Sequence, residues 1–235
     1  MGCLERHERY NALRTSTQSQ AQMKGKSISG DDCVKALPPA GELVYIRDFI
    51  AQSRADEMFS ALTRESFWQS RMITMFGREI MQPRKIAFQG DPGVSYAYSG
   101  DAYNAEPWHK DLVALRTDIE RQADCPFNCV LLNLYRDGRD SMGWHSDDEA
   151  ELGSCPTIAS VSLGAVRRFV LRCRDDKRKR IEIEPVHGSL IIMRGDLQHY
   201  WQHAVPKTAR DVKPRINLTF REIAGRRSRE AHRTP

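Results

Sequence analysis

A mainly β, α+β fold is expected for this chain, a β-sandwich or jelly-roll core with two helices ahead of it. Apolar residues recur at helical spacing twice in the first half. From residue 127 the rhythm changes to short runs rich in Val, Ile, Leu and Phe, and turn residues part those runs at near-even intervals. Residues 1 to about 40 are polar and aperiodic and end in "LPPAG", which reads as a disordered leader. The alternative is an arm folded back on the domain. "ELVYIRDFI" then forms a short strand. "SRADEMFSALTRES" follows as a helix with Ser53 as N-cap and Asp56 three residues on, and Met58, Phe59 and Leu62 make its apolar stripe. Trp108, Leu112, Leu115 and Ile119 mark a second helix. Strands are expected at "FNCVLLNLY", "TIASVSLG", "RRFVLRC", "RIEIEPV", "SLIIMRG" and "PRINLTFRE". Residues 225–235 form a basic tail.

The 235 residues fit one domain with a tail, placed here at 41–224, and 40% hydrophobic content can supply its core. A mean hydropathy of −0.59 leaves part of the chain outside that core. A net charge of +5 permits an anionic partner such as nucleic acid without requiring one. The six cysteines show no C-x-x-C pair and no framework spacing, so free thiols in a reducing cytosol or nucleus are expected. No apolar run of membrane-spanning length is present, and residues 1–20 lack the apolar core of a signal peptide.

"GWHSDDEAE" (143–151) carries the first chemical signal. On a strand, residues two apart share a face, so His145 and Asp147 could present an imidazole and a carboxylate to one ion. A third ligand must come from elsewhere, and His199 and His203 both lie late in the β-rich half. Two histidines and one carboxylate with positions left open suit non-haem Fe(II) and oxygen chemistry. Zinc is the rival, but a hydrolytic zinc site normally brings a general-base motif such as H-E-x-x-H, which is missing.

In "PRINLTFR", Arg215, Asn217, Thr219 and Arg221 alternate with Ile216, Leu218 and Phe220. The polar face could be an outer surface. In a jelly roll with a metal inside it could equally point inward, where two arginines would grip a dianion between them. Asn133 and Tyr135 share a face just before the H-x-D segment, which supports the inward reading.

At this point the sequence resembles the AlkB family of Fe(II)/2-oxoglutarate-dependent dioxygenases. The match is carried by "NLYRDGRDSMGWHSDDE", "IASVSLGAVRRFVLR", "HGSLIIM", "YWQHAVP" and "PRINLTFR", and extends over residues 41–223. It implies a double-stranded β-helix core with N-terminal helices outside it and a substrate lid formed partly by "PRKIAFQGDPGVSYAYSG". His145, Asp147 and His203 become the iron ligands. Asn133, Tyr135, Arg215, Asn217 and Arg221 match the positions that hold 2-oxoglutarate. The implied reaction uses Fe(II), 2-oxoglutarate and O2 to strip N-methyl groups from 1-methyladenine or 3-methylcytosine in DNA, with the protein acting as a monomer. Such a base must be flipped into a pocket, and it carries positive charge. Asp148 and Glu149 fit as pocket acids, Tyr98 matches a stacking position with Tyr96 beside it, and Arg84 could reach a phosphate.

The lid segment looks nearest to the subgroup that repairs duplex DNA, where Phe76 of "TMFGRE" matches an aromatic finger that fills the gap left by the base. Two features lean the other way. The basic triplet of that subgroup is spread here over Lys207, Arg210 and Lys213, and "WHSDDE", with Trp144, looks more like the subgroup that prefers single strands. The hairpin "RCRDDKRKR" adds six basic residues that suit backbone phosphates. An AlkB-fold oxygenase acting on RNA or protein, and a non-catalytic nucleic-acid-binding module, are the competing expectations.

Overall fold

The computed structural model describes residues 26–28, 33–37, 41–75, 77–98 and 101–223. Along the chain run β1 (Lys26–Ile28), β2 (Cys33–Ala36), β3 (Glu42–Ile46), α1 (Gln52–Arg64), β4 (Met72–Met75), β5 (Arg78–Met81), β6 (Lys85–Gly90), β7 (Ser95–Tyr98), β8 (Asp101–Asn104) and α2 (Lys110–Ala123). The β-rich half follows with β9 (Cys129–Tyr135), β10 (Met142–His145), β11 (Ile158–Gly164), β12 (Phe169–Cys173), β13 (Arg180–Ile183), β14 (Ser189–Arg194), the short α3 (Leu197–Tyr200), β15 (Trp201–Val205) and β16 (Arg215–Arg221).

Two facing sheets of a jelly roll result. The larger has the order β2-β3-β14-β11-β16-β9-β6 and the smaller β1-β13-β12-β15-β10. The pairings within them are antiparallel except that of β1 with β13.

Alternation along β16 decides the layering. Ile216, Leu218 and Phe220 join Met58, Leu62, Leu112, Leu115 and Ile119 in one apolar cluster, so the helices cover the outside of the larger sheet. The helix stripes explain this docking: α1 buries Ala55, Met58 and Leu62, and α2 buries Leu112, Leu115, Ile119 and Ala123. Each fully buried Leu or Ile contributes about 1.5–3 kcal/mol. A second cluster, including Leu131 and Met193 from the larger sheet and Leu171, Ile181 and Trp201 from the smaller, fills the space between sheets. The polar residues of β16 face that inner space, and the strand is buried along its whole length. The polar face of "PRINLTFR" thus points inward, between the sheets.

Four details depart from expectation. α1 starts at Gln52 with Ala51 at its N-cap and no side-chain cap, so Ser53 lies inside the first turn. Trp108 precedes α2, stacks on Phe220 and donates to Asp91, while His109 caps the helix by accepting from Asp111 N. Between the two helices lie β4 to β8, of which β6 joins the larger sheet. The leader also contributes: β2 pairs with β3 and β1 with β13, an arm against the domain. The basic tail lies outside the described residues.

Candidate metal centre and co-substrate pocket

His145 ends β10 and pairs across the ladder with His203 of β15. Their rings meet with centroids 4.2 Å apart. Asp147 Oδ2 lies 3.5 Å from His203 Nε2, and one ligand atom from each of the three residues lies within 4.8 Å of the others. Strand alternation was expected to aim both residues of the H-x-D segment, but the strand stops at His145. Asp147 is aimed by tertiary bonds: its N–H donates to Gln198 Oε1 at 3.0 Å, and Ser146 Oγ donates to Trp201 O at 2.9 Å.

The donor set fits a divalent metal. Asp147 Oδ1 accepts from Arg221 Nη2 at 2.6 Å, while Oδ2 is buried with no hydrogen-bond partner among the described residues. An ionised oxygen left so is costly unless a cation meets it. Burial raises the Asp147 carboxyl, but Arg221 and the two imidazoles outweigh burial and hold it at about 2. Burial lowers both histidines, His203 to about 3. His145 Nδ1 sits 2.9 Å from Gly143 O, which favours a proton there and leaves Nε2 free to ligate. All three donors are thus in ligating form at neutral pH.

The other described histidines are occupied elsewhere. His109 caps α2, His187 Nδ1 accepts from Gly164 N, and His199, at the surface, meets Ser154 O. The choice between His199 and His203 that spacing left open is closed by geometry.

Register builds the adjoining wall. In β9 and β16, Tyr135 stands opposite Arg215 and Asn133 opposite Asn217, with Ser162 of β11 on the far side of Asn217. Asn217 Nδ2 donates to Ser160 Oγ and Val161 O, and Thr219 Oγ1 donates to Asn217 Oδ1. Arg215 lies beside the Tyr135 hydroxyl and its Nη2 donates to Ser162 Oγ at 2.9 Å, while among the described residues no well-aligned acceptor meets its buried Nε and Nη1. Burial pushes its pKa down to about 10, so it keeps its charge at neutral pH. A buried cation with spare donors suits an anion. The narrow cavity between the sheets is lined by the three candidate ligands, Asn133, Tyr135, Asn217 and Arg221, closed by Phe169, Met193 and Leu131.

Arg84 requires a correction. It was expected to reach a phosphate, yet it is only 4% exposed and its Nε donates to Asn133 Oδ1 at 2.7 Å. A guanidinium turned inward needs a buried acceptor, and Asn133 provides one opposite Ile86, two residues along. Arg84 therefore braces the pocket wall.

Asp148 pairs with Arg174 at 2.5 Å, and Glu149 is half-buried ahead of a 3-10 turn; neither lines the cavity. Tyr96 and Tyr98 fall in β7, paired with β8. Phe76 lies outside the described residues. Trp144, which had no assigned role, is covered by the Arg172 guanidinium, 4.1 Å from its ring. Sequence reasoning missed Gln198, Ser146, Ser160 and Ser162. The alternation in "ASVSLG" was a usable signal for the two last, whereas nothing local marks Gln198.

The loop between β9 and β10 is fastened to the one between β15 and β16. Thr208 N donates to Gly138 O at 2.9 Å, and a Cβ at Gly138 would stand 2.4 Å from Thr208 O. Gly138→Ala must push the two loops apart, and a loss of about 1–3 kcal/mol is expected. A lowered midpoint in thermal unfolding checks this; an unchanged midpoint contradicts it.

A facial pair of histidines plus carboxylate inside a jelly roll, beside an arginine-bearing strand, is the arrangement of an iron-dependent oxygenase. The family model of the 2OG-Fe(II) oxygenase superfamily matches residues 42–221, and the chain belongs to that superfamily. Its relatives there are AlkB homologues. The "Alpha-ketoglutarate-dependent dioxygenase alkB homolog 3" of Bos taurus is 40% identical over 74% of this chain. The "DNA oxidative demethylase ALKBH2" of Homo sapiens is 37% identical over 73% of the chain and 70% of that protein. The chain spans less than two thirds of the bovine relative's length, 64% of it. The solved structure of OsALKBH1 shares the fold, with a TM-score of 0.58 and 14% identity over 81% of this chain and 100% of that one.

Proposed function

We propose that this protein is a DNA-repair dioxygenase that oxidatively removes N-alkyl groups from flipped bases. The observation that carries the reading is the buried His145–Asp147–His203 cluster, set beside Arg215 and Arg221 on a single strand. The relatives' names, which describe 2-oxoglutarate-dependent dioxygenases and a DNA demethylase, support it. Bound Fe(II), with 2-oxoglutarate and O2, supplies the oxygen atom inserted into the N-methyl C–H bond and releases succinate and CO2. The hydroxymethylated base then sheds formaldehyde.

The chain's own residues bind, orient and exclude water. His145, Asp147 and His203 would hold the metal. Arg215, beside Tyr135, would take the distal carboxylate of 2-oxoglutarate with its spare donors. Asn133, Asn217 and Arg221 would hold the end nearer the metal, with Arg84 keeping Asn133 in place. Phe169, Met193 and Leu131 exclude water from the same cavity. Asp148 and Glu149, next in sequence to Asp147, would face the cationic base, with Asp148 restrained by Arg174. Tyr96 and Tyr98 would stack on it.

Formaldehyde release from a 1-methyladenine oligonucleotide tests the reading. It should require Fe(II) and 2-oxoglutarate and stop when zinc replaces iron. Release that persists without 2-oxoglutarate would sink it.

For the strand preference we infer duplex DNA. Phe76 comes between β4 and β5 in sequence, and the paired strands on either side carry Met72, Ile80 and Met81 as exposed apolar side chains, a composition suited to wedging into a stack. Unstacking is worth a few kcal/mol. Phe76→Ala should therefore lower turnover of methylated duplex on the order of 10- to 100-fold while sparing single strands. Equal loss on both substrates would remove the finger role. A marked preference of the unmodified protein for single strands would favour the reading that Trp144 and the spread basic residues support.

A further inference from the structure

We propose that Arg167, so far given no role, is a positioning residue that sets the pocket's preference for a co-substrate ending in a distal carboxylate. The inference rests on the 2-oxoglutarate reading above.

Arg167 leads into β12 and is 3% exposed. Its Nη1 donates to Asp137 O at 2.8 Å, and its Nη2 donates to Asp140 O at 2.7 Å and to Pro206 O at 2.9 Å. The first two carbonyls belong to the loop that leaves β9 directly after Tyr135 and leads to β10 and His145. The third lies at the exit of β15, three residues past His203. One planar guanidinium therefore joins the two segments that carry the histidine ligands and the pocket tyrosine. An ammonium could not satisfy three carbonyls in that plane.

The same group also adds charge where it matters. Its central carbon lies 5.8 Å from the centre of the Tyr135 ring, and that of Arg215 lies 5.4 Å from it. Two buried cations thus flank one phenol. The acceptors of Arg167 are neutral carbonyls, the nearby Asp140 and Asp137 carboxylates are each paired with another arginine, Arg136 and Arg139, and Arg215 bonds the Ser162 hydroxyl beside the Tyr135 phenol, so neither cation has a carboxylate of its own among the described residues. A dianion with one carboxylate near Tyr135 gains from both cations. A co-substrate with a methyl group there gains from neither.

Titration calorimetry of the Mn(II)-loaded protein with 2-oxoglutarate, and separately with 2-oxopentanoate, tests the proposal. The second acid has the same chain but ends in a methyl group. Wild type should prefer 2-oxoglutarate; if it does not, the co-substrate reading fails, independently of Arg167. Arg167→Gln should lose about tenfold of that preference, the scale of one unit charge at this kind of range, with 2-oxopentanoate affinity unchanged. Arg167→Lys, which keeps the charge and loses most of the clamp, should fall between. Parallel weakening of both acids, or an unchanged preference, overturns the proposal. If the Gln variant does not fold, the Lys variant decides by the same two criteria.

Discussion

Asp147→Asn should abolish turnover and iron binding while leaving DNA affinity intact. The substitution keeps the shape of the side chain and removes only its charge. That charge is the one anion in the His145–Asp147–His203 cluster, and its buried Oδ2 takes no hydrogen bond from the described residues. Loss of an outer partner of a metal ligand costs about 10- to 100-fold, and loss of a direct ligand must cost more. Formaldehyde release and iron titration read the two losses, and a fluorescent oligonucleotide reads the affinity that remains. An Asn variant that still binds iron and turns over would remove Asp147 from the site.

Arg221→Met should have the largest effect on stability. Wild-type Arg221 meets Asp147 Oδ1 at 2.6 Å, and both side chains are at most 5% exposed. Removing one partner of such a pair leaves a buried, unmatched charge, at about 3–5 kcal/mol. The cost should shrink when metal is loaded, because the ion then faces the same carboxylate. Metal should therefore raise the melting temperature of the variant more than that of wild type. The pH dependence follows from linkage. The Asp147 carboxyl is held at about 2 in the folded protein and titrates near 3.9 when unfolded. Its contribution is complete above the unfolded value and is lost as pH falls from about 4 toward 2. Without Arg221 most of it is absent at any pH, so the gap between wild type and variant should narrow in acid. A gap that widens there would contradict the pairing.

Periodicity made much of this legible. The alternation in "PRINLTFR" encodes both layers of the larger sheet, apolar toward the helices and polar toward the metal site. Six of the eight strands from residue 127 onward, and both helix stripes apart from Trp108, follow from the same arithmetic; β10 and β15, the short strands that carry His145 and His203, do not. What escaped was set by partners distant in sequence. Gln198 lies 51 residues from the Asp147 amide it holds, and Arg84 lies 49 from Asn133. A polar residue bound inward looks, in one dimension, like any surface residue. Ser53 failed for the opposite reason, since its local pattern was good but the chain enters α1 two residues earlier, with Ala51 at the N-cap. The H-x-D segment was right in its chemistry and wrong in its device, because a bend rather than a pleat turns Asp147 inward.

The register of β9 with β16 has a consequence for how the site comes into being. Tyr135 meets Arg215 80 positions further along the chain, so closing that ladder carries the entropy cost of a long loop. A slip by one residue would turn Arg215 and Arg221 toward the helices and Ile216, Leu218 and Phe220 toward the metal site. Correct strand pairing and assembly of the pocket are therefore one event during folding. A newly made chain that has not completed this closure can still pair His145 with His203 across β10 and β15, but it lacks the wall of Tyr135, Asn133, Arg215 and Asn217, so binding of 2-oxoglutarate, rather than capture of iron, would report that the larger sheet has closed in register.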